Sequence, residues 1–204
     1  MEYNKRPDVR ANKTKTALKA AIFVLLSTTT FERLTVRQIC DAALINRVTF
    51  YSHYSDKFDL FNDALNDLVE SVGNGARKDI VKFGKLTAAA RIRICCNAFL
   101  EALINVCYEN KAWITNLNNP ENSMIIFMFN QSITKRLSNY LEEFEKDGSL
   151  NYSPDRVASF TCGGVSRLIF DWLSGGNDCP DKETFTCTLQ KALSDLLSSN
   201  ILFH

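Results

Sequence analysis

Histidine, proline and glycine are scarce in this sequence of 204 residues, which contains two, four and eight of them. His53 is the only internal histidine and His204 is the last residue, so metal sites and catalytic triads built on histidine are nearly excluded. Apolar runs such as residues 124–129 are far too short to span a bilayer. No secretory leader opens the chain, and we expect a cytoplasmic protein without a membrane partner.

The cysteines form no recognisable framework. There are seven of them, an odd number, and no two have the C-x-x-C spacing of zinc or redox motifs. We expect reduced thiols that fill the core as small hydrophobic groups. The sequence also lacks a convincing nucleophile–base pair, so we expect neither an enzyme nor a bound metal or cofactor.

Charge is distributed unevenly, although the whole chain has a net charge of only +1. Residues 1–60 contain ten Lys and Arg against six Asp and Glu, whereas the remaining 144 residues contain 14 against 17. A basic end on an otherwise near-neutral protein suits an anionic partner such as nucleic acid, although a solvated tail has the same composition.

Apolar residues recur with the spacing of amphipathic helices along almost the whole chain. The i, i+3, i+4, i+7 pattern is followed, for example, by Leu18, Ala21, Ile22 and Leu25. The one strand-like run, residues 124–129, has no second strand to pair with. The predicted class is therefore all-α, with helices at about 12–28, 35–42, 46–52, 56–80, 87–109, 111–118, 120–147, 154–174 and 181–200.

Residues 34–60 predict a helix-turn-helix. Thr35 and Gln38 have the spacing of a capping box that starts a short helix, and Asn46 can cap a second short helix after a brief turn. In this motif the second helix enters the major groove with its N-terminal residues towards the bases. Here those residues are Asn46, Arg47, Val48 and Thr49, among which the arginine can pair bidentately with guanine.

Residues 13–60 resemble the DNA-binding domain of the tetracycline-repressor (TetR) family of bacterial regulators. The matching positions are Thr35-Val36, Ile39, the turn Ala43-Leu44-Ile45, the helix from Asn46 to Tyr51, His53-Tyr54 and Asp56-Lys57. The predicted DNA contacts are residues of this motif and two lysines at the start of the first helix: Lys13, Lys15, Thr35, Arg37, Asn46, Arg47, Val48, Thr49, Tyr51, His53 and Lys57.

The resemblance also implies an organisation and a function. Residues 1–60 would bind DNA, and residues 61–204 would form a helical domain for dimerisation and regulation. The protein would be a homodimer that binds a palindromic double-stranded operator, usually as a repressor, and responds to a small-molecule or protein effector. Residues 47–54 and Trp172 are also weakly similar to the dihydroxyacetone kinase regulators, in which a partner protein supplies the signal.

Two positions depart from the family pattern. The turn has Leu44 where glycine is usual, and a left-handed backbone costs other residues roughly 1 kcal/mol or more. Leu44 either accepts that strain or the turn adopts another geometry. Val48 stands where a small or polar residue is usual. Both departures favour an alternative, an all-α interaction module whose helix-turn-helix does not bind DNA by itself.

Two further sets of residues are candidates for sites in the second domain. Side chains of the middle helices are expected either to pack as core or to line a ligand pocket: Phe99, Leu103, Tyr108, Trp113, Phe127 and Phe129. Residues of the last two helices are expected either to form the dimer interface or to pack within the chain: Gly164, Leu168, Leu189, Leu193 and Leu196.

Overall fold

The computed structural model describes residues 9–80, 87–145, 152–175 and 179–198. Over these residues it has nine α-helices, two 3₁₀ turns and no β-strand, which confirms the all-α class. None of the described helices is both long enough and apolar enough to cross a membrane. The helices are α1 (Val9–Leu26), α2 (Val36–Ala43), α3 (Arg47–Tyr51), α4 (Lys57–Ile80), α5 (Ala88–Glu109), α6 (Lys111–Ile114), α7 (Ser123–Glu145), α8 (Pro154–Ser174) and α9 (Lys182–Ser198).

The predicted helices agree with these bounds to within a few residues, except around residue 115. The predicted helix 111–118 ends at Ile114 and continues as the 3₁₀ turn Thr115–Asn118, and a second 3₁₀ turn, Pro120–Asn122, precedes α7. A residue before proline is disfavoured in the helical conformation, and Asn119 is extended, with φ −66° and ψ 125°. The chain therefore turns here. The predicted ends at 147 and 200 lie outside the described residues.

One apolar core runs from the first helices into the rest of the chain. Trp113 of α6 stacks on Phe23 of α1 with ring centroids 4.8 Å apart, and it meets Phe61 of α4 edge-on at 6.4 Å. Phe61 also packs against Phe31, and Trp113 packs against Phe129 of α7. Each of these rings buries a large apolar area, so the first helices are anchored on the later ones.

The cysteines behave as small core residues. All seven lie in the described residues, five of them are buried, and none is in a disulfide. Burial raises the pKa of the Cys107 and Cys162 thiols to about 12, so both are protonated and unreactive near neutral pH. Cys179 is partly buried between α8 and α9, and Cys187 is exposed on α9.

Candidate nucleic-acid interface

The first helix of the helix-turn-helix, α2, begins with the predicted capping box. The Thr35 hydroxyl accepts from the Gln38 N–H at 3.3 Å, and the Gln38 carboxamide oxygen accepts from the Thr35 N–H at 2.9 Å. Arg37 is exposed and lies 3.7 Å from Asp41. An exposed ion pair of this kind contributes little, so Arg37 stays available to an anionic partner, whereas the Thr35 hydroxyl is used by the cap.

The turn between α2 and α3 has a left-handed residue where the family pattern has glycine. Leu44 has φ 55° and ψ 38°. Ile45 donates its N–H to the Cys40 carbonyl at 2.9 Å, and Leu44 donates to the Asp41 carbonyl at 3.3 Å, which is the Schellman pattern that ends many helices. Of the two expected alternatives, Leu44 therefore accepts the strain and the turn keeps its geometry.

Replacing Leu44 with glycine is expected to raise the free energy of unfolding by about 0.5–1 kcal/mol, because glycine adopts a left-handed backbone without a Cβ clash. The Leu44 side chain is 92% exposed, so its removal loses little packing. Leu44→Ala is the matched control, since it removes exposed atoms but keeps the strain. Urea unfolding measures both variants, and equal stability of the two would show that the turn is unstrained.

The recognition helix α3 is held by one buried ring and exposes its other side. Phe50 is fully buried, and its ring centroid lies 5.9 Å from that of the buried Tyr54. Arg47 is exposed, Val48 is 77% exposed and Tyr51 is 58% exposed. The helix therefore presents a guanidinium, an apolar group and a phenol at positions that contact bases and phosphates in a helix-turn-helix.

Three more predicted contacts border this surface. The carboxamide oxygen of Asn46 accepts from the Val48 N–H at 2.9 Å and caps α3, which leaves the amide nitrogen of Asn46 for an outside partner. Thr49 and His53 are half-buried. All the predicted contacts of residues 46–53 thus keep at least part of their surface open.

Lys57 has an environment that differs from the predicted one. Its ammonium donates to the carbonyl oxygens of Phe31 at 2.7 Å, Leu34 at 2.9 Å and Glu32 at 3.2 Å, which uses all three of its N–H donors. Partial burial lowers the pKa of Lys57, against the opposing effect of the Glu32 charge. Lys57 therefore ties the α1–α2 loop to the start of α4, and its predicted phosphate contact is not supported.

The two predicted lysines of α1 differ in their surroundings. Lys13 is exposed. The Lys15 ammonium lies 3.7 Å from the Asp63 carboxylate of α4 and 5.3 Å from the centre of the Tyr54 ring. Lys19, one turn further along, is 3.0 Å from the same carboxylate. Lys13 is therefore open to an anionic partner, whereas Lys15 and Lys19 hold α1 against α4.

A hydrogen bond ties the end of the helix-turn-helix to α4. The hydroxyl of Tyr54 donates to the Asp63 carboxylate at 2.8 Å. Burial and the bond to Asp63 raise the pKa of Tyr54. Burial also opposes ionisation of Asp63, but the bonds from Tyr54 and Lys19 and the lysine charges outweigh it and lower the pKa of Asp63. A neutral phenol and an ionised carboxylate are thus the stable pair near neutral pH.

Tyr54→Phe is expected to lower the free energy of unfolding by about 1 kcal/mol at neutral pH, because the buried hydrogen bond is lost. The folded-state pKa of Asp63 is depressed, so this contribution is present above about pH 4 and disappears as the pH falls further. The folded-state pKa of Tyr54 is raised, so the contribution also disappears as the pH rises above about 10. Urea unfolding across this range should show the difference from wild type shrinking at both ends. The exposed Tyr51→Phe is the control, and a pH-independent difference for Tyr54→Phe would contradict the assignment.

A polar junction that no sequence pattern predicts joins the α1–α2 loop to the 3₁₀ turns. The buried Asn122 accepts the Phe31 N–H at 2.8 Å and donates to a backbone carbonyl of the first 3₁₀ turn at 2.8 Å. Glu121 accepts from Arg33 at 2.7 Å and from the Thr30 hydroxyl at 2.9 Å. Asn122 and Phe31 are 91 positions apart, so no local spacing points to their contact.

The described residues do not bring the predicted pocket residues together around one cavity, and most of these side chains pack in the core. Phe99 and Leu103 are buried beside a cavity of only about 10 Å³, which has room for about one water molecule at most. Trp113 belongs to the aromatic core. Tyr108 is 47% exposed and stacks on a tryptophan of α8, and Phe127 is 56% exposed.

The predicted interface residues separate into two groups. Gly164 and Leu168 of α8 are exposed, and a Cβ built on Gly164 would meet no atom within 4 Å. Leu189 and Leu193 of α9 are each only 7% exposed within a single chain, because α9 packs its apolar side against α5. The structure therefore favours the packing of these two residues within the chain, and their interface role stays a prediction. The side chain of Leu196 lies outside the described residues.

A scan against models of protein families and a search of curated proteins find no match for the chain. Solved structures match almost all of it. A TetR-family transcriptional regulator from a Rhodococcus species is 16% identical with a TM-score of 0.66, and the match covers 92% of this chain and 100% of that one. The fatty acid degradation regulator FadR from Bacillus halodurans is 14% identical with a TM-score of 0.63, and the match covers 94% of this chain and 97% of that one. The dihydroxyacetone kinase operon activator DhaS is 15% identical with a TM-score of 0.58, and the match covers 94% of this chain and 98% of that one.

The described chain is all-helical, and its short recognition helix has one buried anchor and one exposed side. These features define a helix-turn-helix protein. The structural neighbours make the architecture more specific, since the chain has the fold of TetR-family transcriptional regulators. These neighbours are described as regulators, and no three metal-ligating side chains come together among the described residues. The fold predicted from residues 13–60 is therefore confirmed.

Proposed function

We propose that the protein is a sequence-specific DNA-binding transcriptional regulator. The observation that carries the proposal is the exposed side of α3, where Arg47, Val48 and Tyr51 point away from the buried Phe50. Arg47 would contact a guanine in the major groove, and Tyr51 would donate to a phosphate. Lys13 and Arg37 would add phosphate contacts from the starts of α1 and α2, since both side chains are open.

The protein would act as a homodimer through the exposed side of α8. Phe160 is 72% exposed and Leu168 is 48% exposed, and Gly163 and Gly164 lie between them with no atom within 4 Å of a built Cβ. The two glycines allow a second helix to approach closely, and that helix would then bury the apolar side chains on either side of them. An isologous contact of this kind places two recognition helices by twofold symmetry, which suits a palindromic operator with half-sites about 34–36 Å apart.

Regulation would follow from a change in the separation of the two recognition helices, driven by a small-molecule or protein effector that binds residues 61–204. Such couplings are typically of order 1–3 kcal/mol. Residues 1–60 would then be the DNA-binding domain, with the boundary in the first turn of α4. Repression is the usual outcome that the sequence resemblance implies, although one structural neighbour is described as an activator.

A second candidate function is a helical interaction module that does not bind DNA by itself. The observation that favours it is Val48, an apolar side chain with 77% of its surface exposed in the middle of the recognition helix. A protein partner would bury this side chain, whereas in DNA it could contact only a thymine methyl.

Selection of bound fragments from random or genomic DNA separates the two candidates. Under the proposal, the protein enriches a palindrome, and its affinity falls steeply between about 50 and 200 mM salt because phosphate contacts release counterions. No enrichment by protein shown to be folded and dimeric would instead favour the interaction module.

A further inference from the structure

A polar cleft between α4 and α7 has no role in the proposed DNA binding or dimerisation. It has a volume of about 400 Å³, which falls in the lower part of the range of small-molecule sites. From α4 it is lined by Asn62, Asn66 and Glu70, which follow one another at helical spacing on the same side, with Val69 as the only apolar contribution.

The α7 wall supplies the positive charge of the cleft. Lys135 and Arg136 line it together with Gln131, Ser132 and Asn139. Two cations against the single carboxylate of α4 leave a net positive charge, which a ligand with one anionic group would balance. The many carboxamides can both donate and accept, and hydroxyl groups require partners of that kind.

The polar groups of the cleft are not satisfied by one another. The Nε of Arg136 is buried and has no hydrogen-bond partner, and the guanidinium carbon lies 5.5 Å from the centre of the Tyr140 ring. Lys135 and Glu70 form no ion pair within the described part of the chain. The cations and carboxamides of the two helices face the same cleft but do not pair with one another. Such a cleft is suited to binding a polar ligand.

We propose that this cleft binds a small hydroxylated anion, such as a sugar acid or a sugar phosphate. The anionic group would lie against Lys135 and Arg136, and the hydroxyls would pair with Asn62, Asn66 and Asn139. The lining contains no aromatic side chain, so a flat or apolar effector would find little to stack on.

The cleft lies on the part of α4 that contacts the helix-turn-helix. Asn62 and Asn66 occupy the same two turns of α4 as Asp63, which accepts the Tyr54 hydroxyl, and Asp67, which accepts from an α1 lysine. A ligand that bridges α4 and α7 would therefore fix the part of α4 that holds the helix-turn-helix. This regulatory consequence rests on the proposed DNA-binding function, whereas binding in the cleft does not.

Isothermal titration of the full-length protein tests the proposal with four probes: glycerate, gluconate, glycerol 3-phosphate and glucose 6-phosphate. We expect at least one of them to bind, and the carboxylate and phosphate pairs show which anionic group is preferred. Neutral glycerol and glucose should not bind. Arg136→Met and the more exposed Lys135→Met should each weaken binding about tenfold or more, and Arg156→Met on α8 should leave it unchanged.

Three results would overturn the proposal: no binding of any of the four probes, equal binding of inorganic phosphate, or unchanged binding by both cleft variants. Thermal unfolding of each variant shows whether it is folded, and Lys135→Met changes an exposed side chain without a described protein partner. Because the titration contains no DNA, its failure would leave the DNA-binding proposal untouched.

Discussion

Asn122→Ala lowers the free energy of unfolding by about 3 kcal/mol in our expectation, although the residue lies far from the recognition helix. Asn122 is 1% exposed, and its carboxamide bonds the Phe31 N–H on one side and a backbone carbonyl on the other. Alanine leaves a buried donor and a buried acceptor unsatisfied and removes part of the packing around them. Urea unfolding followed by circular dichroism gives the magnitude.

Asn118→Ala is the matched control, because Asn118 is an exposed asparagine of the same segment that bonds only the Ser174 hydroxyl. Its loss should cost less than about 1 kcal/mol. If the two substitutions cost the same, the junction between the α1–α2 loop and the 3₁₀ turns contributes no more than an ordinary surface contact.

Arg47→Ala is expected to weaken binding to the selected operator about 100-fold or more. A bidentate arginine–guanine contact typically contributes about 1–3 kcal/mol, and a dimer loses it in both half-sites. Arg47 is exposed and makes no described contact that holds the fold, so stability should change by less than about 0.5 kcal/mol. Fluorescence anisotropy with a labelled operator at constant salt measures the loss.

Arg93→Ala provides the control for charge, because Arg93 is an exposed arginine of α5 and the net charge changes equally. It should alter affinity by less than about threefold. If Arg47→Ala binds the operator with wild-type affinity, Arg47 of α3 does not contact DNA, and the interaction-module candidate is favoured.

Much of the fold was predictable because its signals are local. Thr35 and Gln38 formed the expected capping box, and Asn46 capped the recognition helix. Each of these features depends on residues within a few positions of one another, where side-chain chemistry and helical spacing are sufficient to decide.

The site predictions that the structure does not favour depend on contacts between distant parts of the chain. The apolar stripe of Leu189 and Leu193 indicated that one side of α9 is buried, but a stripe does not reveal whether α5 or a second subunit covers it. Lys57 looked like a phosphate contact, yet three carbonyls of a loop more than 20 positions earlier use its donors. Long-range partners carry no periodicity, and that is also why Asn122 gave no signal.

The burial of five thiols has a practical consequence for following the opening of the molecule. In the native protein an alkylating reagent reaches Cys187 and, more slowly, Cys179, whereas a fully unfolded chain offers all seven thiols. Mass spectrometry of labelled chains therefore counts unfolded molecules directly, by five additional adducts. Because Cys40 is the only cysteine in the first 60 residues, an early adduct there reports local opening of the helix-turn-helix while the remaining helices stay closed.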